Sequence, residues 1–140
     1  MLSREIERFI EELKKTKGKK ECLKKAYTIL TRKFKGERVK TYTRFVEVFD
    51  TELNEIWKKK FIHCTTMNYL LKKVLVKSGW FKEEDIKTKW TLVWCISPHQ
   101  YAQVRIKNEV INVDCWGKAY GIPFRKYAHS FNQHIFKREK

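Results

Sequence analysis

Cys64, His99 and Asp114 are the residues whose types and surroundings could do covalent chemistry in this chain. Cys64 opens an apolar helical pattern, Cys64-Thr65-Thr66-Met67-Asn68-Tyr69-Leu70-Leu71. His99 precedes a strand pattern in Ser97-Pro98-His99-Gln100-Tyr101, and Asp114 ends the next strand in Val113-Asp114-Cys115-Trp116-Gly117. A thiol at a helix start gains from the dipole and the unpaired N–H groups there, which favour thiolate. An imidazole beside it can move protons, and a carboxylate can hold that imidazole in one tautomer. Such a set attacks amide carbonyls. The backbone N–H of Cys64 points where an oxyanion would develop. The indole N–H of Trp57 is the candidate for a second donor, although a core aromatic is the plainer role for it. Each residue also has a plain reading taken alone: a small buried hydrophobe, a solvent-facing histidine, a turn aspartate. Those readings do not explain why all three fall at matching structural places.

The elements around them follow from periodicity. Ser3 is a good N-cap, and Ile6, Phe9, Ile10 and Leu13 recur at helical spacing, with Gly18 expected to end that helix. Leu23, Ala26, Tyr27 and Leu30 repeat the pattern, and Cys22 lies beside that face as a small core residue. Thr43 and Asp50 are N-cap candidates for two short helices, burying Phe45, Val46 and Phe49, then Leu53, Ile56 and Trp57. The cysteine helix spans about Cys64 to Lys77, buries Met67, Leu70, Leu71, Val74 and Leu75, and stops at Ser78-Gly79. Residues 80–89 read as charged and irregular, with one short turn at Lys82–Ile86. Thr91–Ile96 is a continuous apolar run, the pattern of a strand covered on both faces. Tyr101–Ile106 and Val110–Asp114 alternate as two further strands joined by Lys107-Asn108-Glu109, where Asn108 can take a left-handed turn.

The expected architecture is therefore α+β, with N-terminal helices and a central cysteine-bearing helix packed on a small antiparallel sheet. One domain of residues 1–140 is expected: helices to about 79, strands over about 90–117, and a tail from 118 that folds back on the core. A turn centred at 107–109 pairs residues whose numbers sum to about 216. His99 shares strand parity with Tyr101, Gln103 and Arg105, and Asp114 with Asn112 and Val110, so both can meet at the open end of the hairpin. A slip of one residue would flip a face.

With these residues in view, the chain resembles the transglutaminase-like superfamily, a branch of the papain-like cysteine enzymes. The likeness runs over about residues 57–117: Cys64 with Asn68-Tyr69, His99-Gln100-Tyr101 with Val104, and Val113-Asp114-Cys115-Trp116. It implies Cys64 as nucleophile, His99 as general acid/base and Asp114 as orienting carboxylate. Three places depart from the family pattern: His63 stands before the cysteine, Tyr101 takes the aromatic place after the histidine, and Cys115 replaces a proline.

Composition bounds the partners. The chain carries 32 Lys+Arg against 16 Asp+Glu, a net charge of +16, which would attract an acidic protein, an acidic peptide substrate or nucleic acid. Of the bases 24 are Lys and 8 Arg, and many sit between apolar helical positions, so solvated helix faces are the plainer use. Four cysteines do not resemble a secreted disulfide scaffold, no signal-peptide core opens the chain, and no apolar run approaches membrane-spanning length. A cytoplasmic protein is expected. The cysteines and histidines show no Cys-x-x-Cys or His-x₃-His spacing, and no phosphate-cradling glycine loop occurs, so neither metal nor cofactor is expected. Two functions follow from the residues. One is a thiol enzyme acting on amides, more readily hydrolytic than amine-transferring. The other is a catalytically silent basic module that holds nucleic acid or an acidic protein.

Overall fold

The structure, a computed structural model, describes residues 1–34, 52–59, 62–93 and 97–128. The expected helix of Thr43, Phe45, Val46 and Phe49 lies outside those residues, as do Asp50, Cys95, His129, His134, Phe131 and Phe136.

The described residues form four α-helices and a three-stranded antiparallel sheet, an α+β architecture. Helix α1 spans Arg4–Lys14; the Ser3 hydroxyl accepts from the Ile6 N–H, and Ile6, Phe9, Ile10 and Leu13 are all buried. It ends before Gly18. The Leu13 carbonyl takes the Thr16 N–H (3.2 Å), the Thr16 hydroxyl (2.7 Å) and the Trp80 indole N–H (3.1 Å), so the last turn is closed by side chains rather than by glycine. Gly18 instead precedes α2, Lys19–Lys33, which buries Cys22, Leu23, Ala26, Tyr27 and Leu30. Cys22 is a core residue as expected, its thiol 3.6 Å from the Ser78 hydroxyl and its pKa raised by burial. Helix α3, Leu53–Lys58, buries Leu53, Ile56 and Trp57; its cap is Glu52, whose carboxylate accepts the Asn54 N–H.

Helix α4, Cys64–Lys77, is the central one. It packs on α1, α2 and the sheet, and its buried residues include Met67, Leu70, Leu71, Val74 and Leu75. Burying each such side chain contributes about 1.5–3 kcal/mol, which is what fixes the helix start relative to the strands. Ser78 and Gly79 end it, with Gly79 at φ 83 in the left-handed region that suits glycine.

A short 3-10 turn at Glu83–Asp85 leads into strand β1, Ile86–Val93. Strand β2 spans Ser97–Ile106 and β3 spans Glu109–Val113, in the order β1-β2-β3. Two expectations are corrected here. The first strand begins five residues earlier than its apolar run, because the exposed residues Lys87–Trp90 pair with β2 through their backbone whatever their side chains. Among the described residues it is also an edge strand, and it is not covered on both faces: Trp90 and Leu92 are exposed.

The β2–β3 pairs sum to 215 rather than 216, as in Ala102↔Val113 and Ile106↔Glu109. The turn is therefore two residues, Lys107-Asn108, and the left-handed residue is Lys107 at φ 56 instead of Asn108. An odd sum places Ala102, Val104, Ile106, Ile111 and Val113 together on the core face, all buried. Tyr101, Gln103 and Arg105 face the other way. After Asp114 a 3-10 turn at Trp116–Tyr120 and residues 121–128 return over the structure, burying Ile122 and Ala128 and packing Phe124 against Tyr27 at 4.9 Å. Among the described residues no helix is long and apolar enough to cross a membrane.

Candidate active site

Cys64 is the first residue of α4, half-buried, while the other described cysteines, Cys22 and Cys115, are buried. His63 occupies the N-cap without making a side-chain cap bond, and no acidic side chain stands in the first turn. The positive end of a 14-residue helix is therefore left to its own N–H groups beside the thiol. This is the helix-start environment the sequence places around Cys64.

His99 and Asp114 meet, which the observed pair sum of 215 allows and a sum of 216 would not. His99 Nε2 donates to Asp114 Oδ2 at 2.7 Å, with the two residues only 3% and 2% exposed. The Cys64 side chain hydrogen-bonds the same ring. Asp114 takes Nε2, which leaves Nδ1 as the nitrogen able to face the sulfur. One imidazole thus bridges the carboxylate and the sulfur. Burial alone would lower the His99 pKa, but the Asp114 charge and hydrogen bond, joined by the bond and charge of Cys64, raise it to about 10. The ring is an imidazolium at neutral pH.

Asp114 holds more than the imidazole. Its Oδ1 accepts the Gly117 N–H at 2.9 Å, and Oδ2 also accepts the Ala128 N–H at 2.9 Å. The carboxylate therefore ties the end of β3, the following turn and the returning tail to His99. The Trp116 ring lies over the imidazole, centroids 5.0 Å apart, and Tyr101 stacks on Tyr127 at 4.0 Å. The burial of His99 and Asp114, with Trp116 over the ring, keeps the pair from water and strengthens the charge interactions within it. The Trp116 indole N–H and the Thr65 hydroxyl are buried without a hydrogen-bond partner, both beside the triad.

No protein family model, curated protein or solved structure matches this chain. The site is therefore read from its own geometry.

Trp57 does not serve as a second oxyanion donor. Its indole N–H donates to Glu5 at 2.7 Å, and its ring packs between Phe9, at 5.5 Å, and Phe34, at 5.8 Å. It is a core aromatic whose polar end is already used on α1. Among the described residues no three or more of His, Cys, Asp and Glu gather as metal ligands. A basin of about 920 Å³ lies between the α1–α2 turn and the β2–β3 turn, lined by Lys17, Lys19, Lys20 and Lys107. It is at the far end of β2, seven residues and roughly 23 Å from His99, so it is no part of the thiol site.

Two residues without an assigned role belong to the site. Asn68, buried and one helical turn after Cys64, donates its amide to Gln100 Oε1 at 3.3 Å. This bond pins α4 to β2 next to His99. Gly117 is the second. A Cβ there would sit 2.7 Å from Asp114 Oδ2 and 3.0 Å from Ile122 Cγ1. Because three hydrogen bonds lock the carboxylate, it cannot step aside cheaply. Gly117→Ala is expected to lower stability by about 1–3 kcal/mol, measured by urea unfolding. An unchanged midpoint would mean that the Asp114 cradle is slack.

Proposed function

We propose that this protein is a thiol enzyme of the transglutaminase-like kind, acting on amide bonds of a protein or peptide through a thioester, and hydrolytic rather than amine-transferring. The observation that carries the reading is the single His99 ring, bonded through Nε2 to Asp114 and through its other nitrogen to Cys64 at a helix start.

The chemistry follows from those bonds. Cys64, as thiolate, attacks the amide carbon; an S–C bond forms and the carbonyl oxygen becomes an oxyanion facing the Cys64 N–H. The tetrahedral adduct collapses, the C–N bond breaks, and His99 gives the Nδ1 proton to the leaving amine. A water then attacks the thioester while the neutral ring takes its proton. The S–C bond breaks, releasing a carboxylic acid and the thiolate, and the imidazolium is restored. Asp114 holds Nε2–H throughout, so the second nitrogen always faces the sulfur. Water is always available to release the thioester, which favours hydrolysis. Free thiols at Cys22, Cys64 and Cys115 suit the reducing cytoplasm in which we place this activity.

Iodoacetamide at neutral pH tests the reading. Cys64 is expected to be alkylated well ahead of Cys22 and Cys115, whose pKa values burial pushes up. His99→Ala is expected to slow Cys64 labelling about tenfold or more. Equal labelling of all three in the folded protein, or a rate at Cys64 indifferent to His99, would turn the reading toward the silent basic module.

A further inference from the structure

One polar group beside the thiol is held in place and left unused. Gln100 follows His99 in β2 and is half-buried. Its Oε1 accepts the Asn68 amide at 3.3 Å, while among the described residues its own NH₂ group meets no acceptor. A glutamine carries its acceptor and its two donors on one planar amide, so holding the oxygen also fixes where the donors point. The residue that holds it, Asn68, is 2% exposed, which makes Gln100 an anchored side chain rather than a loose surface one.

Two independent ties bring this amide to Cys64. Along α4, Asn68 follows Cys64 by four residues, so the two share a helix face with Cβ atoms about 5–6 Å apart, and Gln100 is one hydrogen bond further. Along β2, the chain neighbour of Gln100 is His99, whose ring is hydrogen-bonded to the Cys64 side chain. The two elements run in step, His99 with Cys64 and Gln100 with Asn68. With Oε1 turned toward Asn68, the NH₂ group is left on the side of the helix start.

This is where the thiol chemistry is short of a group. Attack on an amide carbon puts negative charge on the carbonyl oxygen, and the Cys64 N–H is a single donor to it. The first bond of the α4 ladder runs from the Met67 N–H to the His63 carbonyl, so the Cys64 N–H stands before that ladder. Trp57 is spent on Glu5, and the Thr65 hydroxyl and the Trp116 indole N–H are closed off from solvent. Of the side-chain donors around the triad in the described residues, the Gln100 amide is the one both uncommitted and half-open.

We infer that Gln100 is a catalytic residue whose Nε2–H donates to the carbonyl oxygen of the acyl donor as its charge develops, and that Asn68 is the residue that positions it. The inference rests on the thiol-enzyme reading and adds to it the second oxyanion donor.

The test uses the full chain and compares two reactions of the same sulfur. Iodoacetamide is attacked at its CH₂ carbon and loses iodide, so no oxyanion forms; p-nitrophenyl acetate is attacked at its carbonyl, and one does. Acylation of Cys64 is followed by p-nitrophenolate release and by the mass of the thioester, and divided by the iodoacetamide rate at Cys64. Gln100→Glu keeps an oxygen for the Asn68 amide but removes the donors, and Gln100→Met keeps the length without donors or charge. In both, the acylation/alkylation ratio is expected to fall about 10²–10³-fold. Asn68→Ala, which frees the amide without removing it, is expected to give a smaller fall in the same ratio, a quantity that lost stability alone does not move. An unchanged ratio in both Gln100 variants overturns the assignment and leaves Gln100 as a pin between α4 and β2, with the thiol chemistry standing. A fall in Gln100→Glu alone is the effect of its charge and overturns it too. So does a parallel loss of acylation and alkylation, which would place the effect on the sulfur rather than on the oxyanion. Absence of both acylation and selective alkylation of Cys64 in the wild type removes the enzyme reading and the donor together.

Discussion

Asp114→Ala is expected to lower stability by about 3–5 kcal/mol and to abolish measurable acylation of Cys64. The size follows from what the carboxylate holds. Removing it leaves the Gly117 and Ala128 N–H groups and the His99 Nε2–H without their acceptor, all in a buried place. A buried group stripped of its partner costs about 1–3 kcal/mol, and more when it is charged, as His99 is. The tail should also come loose, so residues near Ala128 are expected to become sensitive to limited proteolysis. Asp114→Asn separates fold from chemistry. Its single acceptor oxygen can serve His99 and Ala128, or Gly117, but either rotamer turns an NH₂ group against an N–H donor. The stability cost should be smaller, about 1–3 kcal/mol. The acylation rate should still fall by about 10³–10⁴, because the amide no longer fixes the tautomer that presents Nδ1 to the sulfur. Urea unfolding and p-nitrophenyl acetate acylation measure the two effects. An Asp114→Asn protein that acylates like wild type would show that the carboxylate is only a structural clamp.

How much of this could be seen in the sequence depends on the range of the interaction that fixes each feature. Cys64 at the head of a buried helix is a local matter of apolar spacing, and α4 begins and ends where that spacing says. The meeting of His99 and Asp114 follows from strand parity once the hairpin is recognised. The parity depends on one residue of loop length, which propensity could not fix, since Lys107 takes a conformation that favours Asn or Gly. The β1 strand began too late because Lys87 and Lys89 hide its pattern, and its exposure depends on which strand stands beside it. Trp57 was drawn toward the thiol by closeness in sequence, but its indole is claimed by Glu5, 52 residues away. The Ala128 N–H on Asp114 could not be foreseen at all, since a backbone donor leaves no mark in composition. The candidate site residues have distinctive side chains, whereas those that hold them in place largely act through backbone groups and tertiary contacts.

The bridged imidazole also makes stability depend on pH in a definable window. In the unfolded chain His99 gives up its proton near pH 6.5. In the folded protein it keeps the proton until about 10, held by Asp114 and Cys64 against the cost of burial. The folded state therefore binds more protons between these values, and stability falls as pH rises through them. The contribution is fully present below about pH 6.5 and gone above about 10. Between pH 6 and 8 the loss should be about 2 kcal/mol. Cys22 and Cys115, which burial holds protonated in the folded state, act in the same direction, but only as an unfolded thiol begins to ionise near pH 8.5. The lower window is thus free of them. His99→Gln isolates the effect: its amide can still reach Asp114, yet it carries no titrating proton. The stability difference between wild type and His99→Gln, from urea unfolding at several pH values, should shrink by about 2 kcal/mol from pH 6 to 8. Parallel curves for the two proteins would mean that His99 is neutral in the fold. The bond to Asp114 would then be an ordinary buried hydrogen bond, and the sulfur of Cys64 would have no imidazolium beside it.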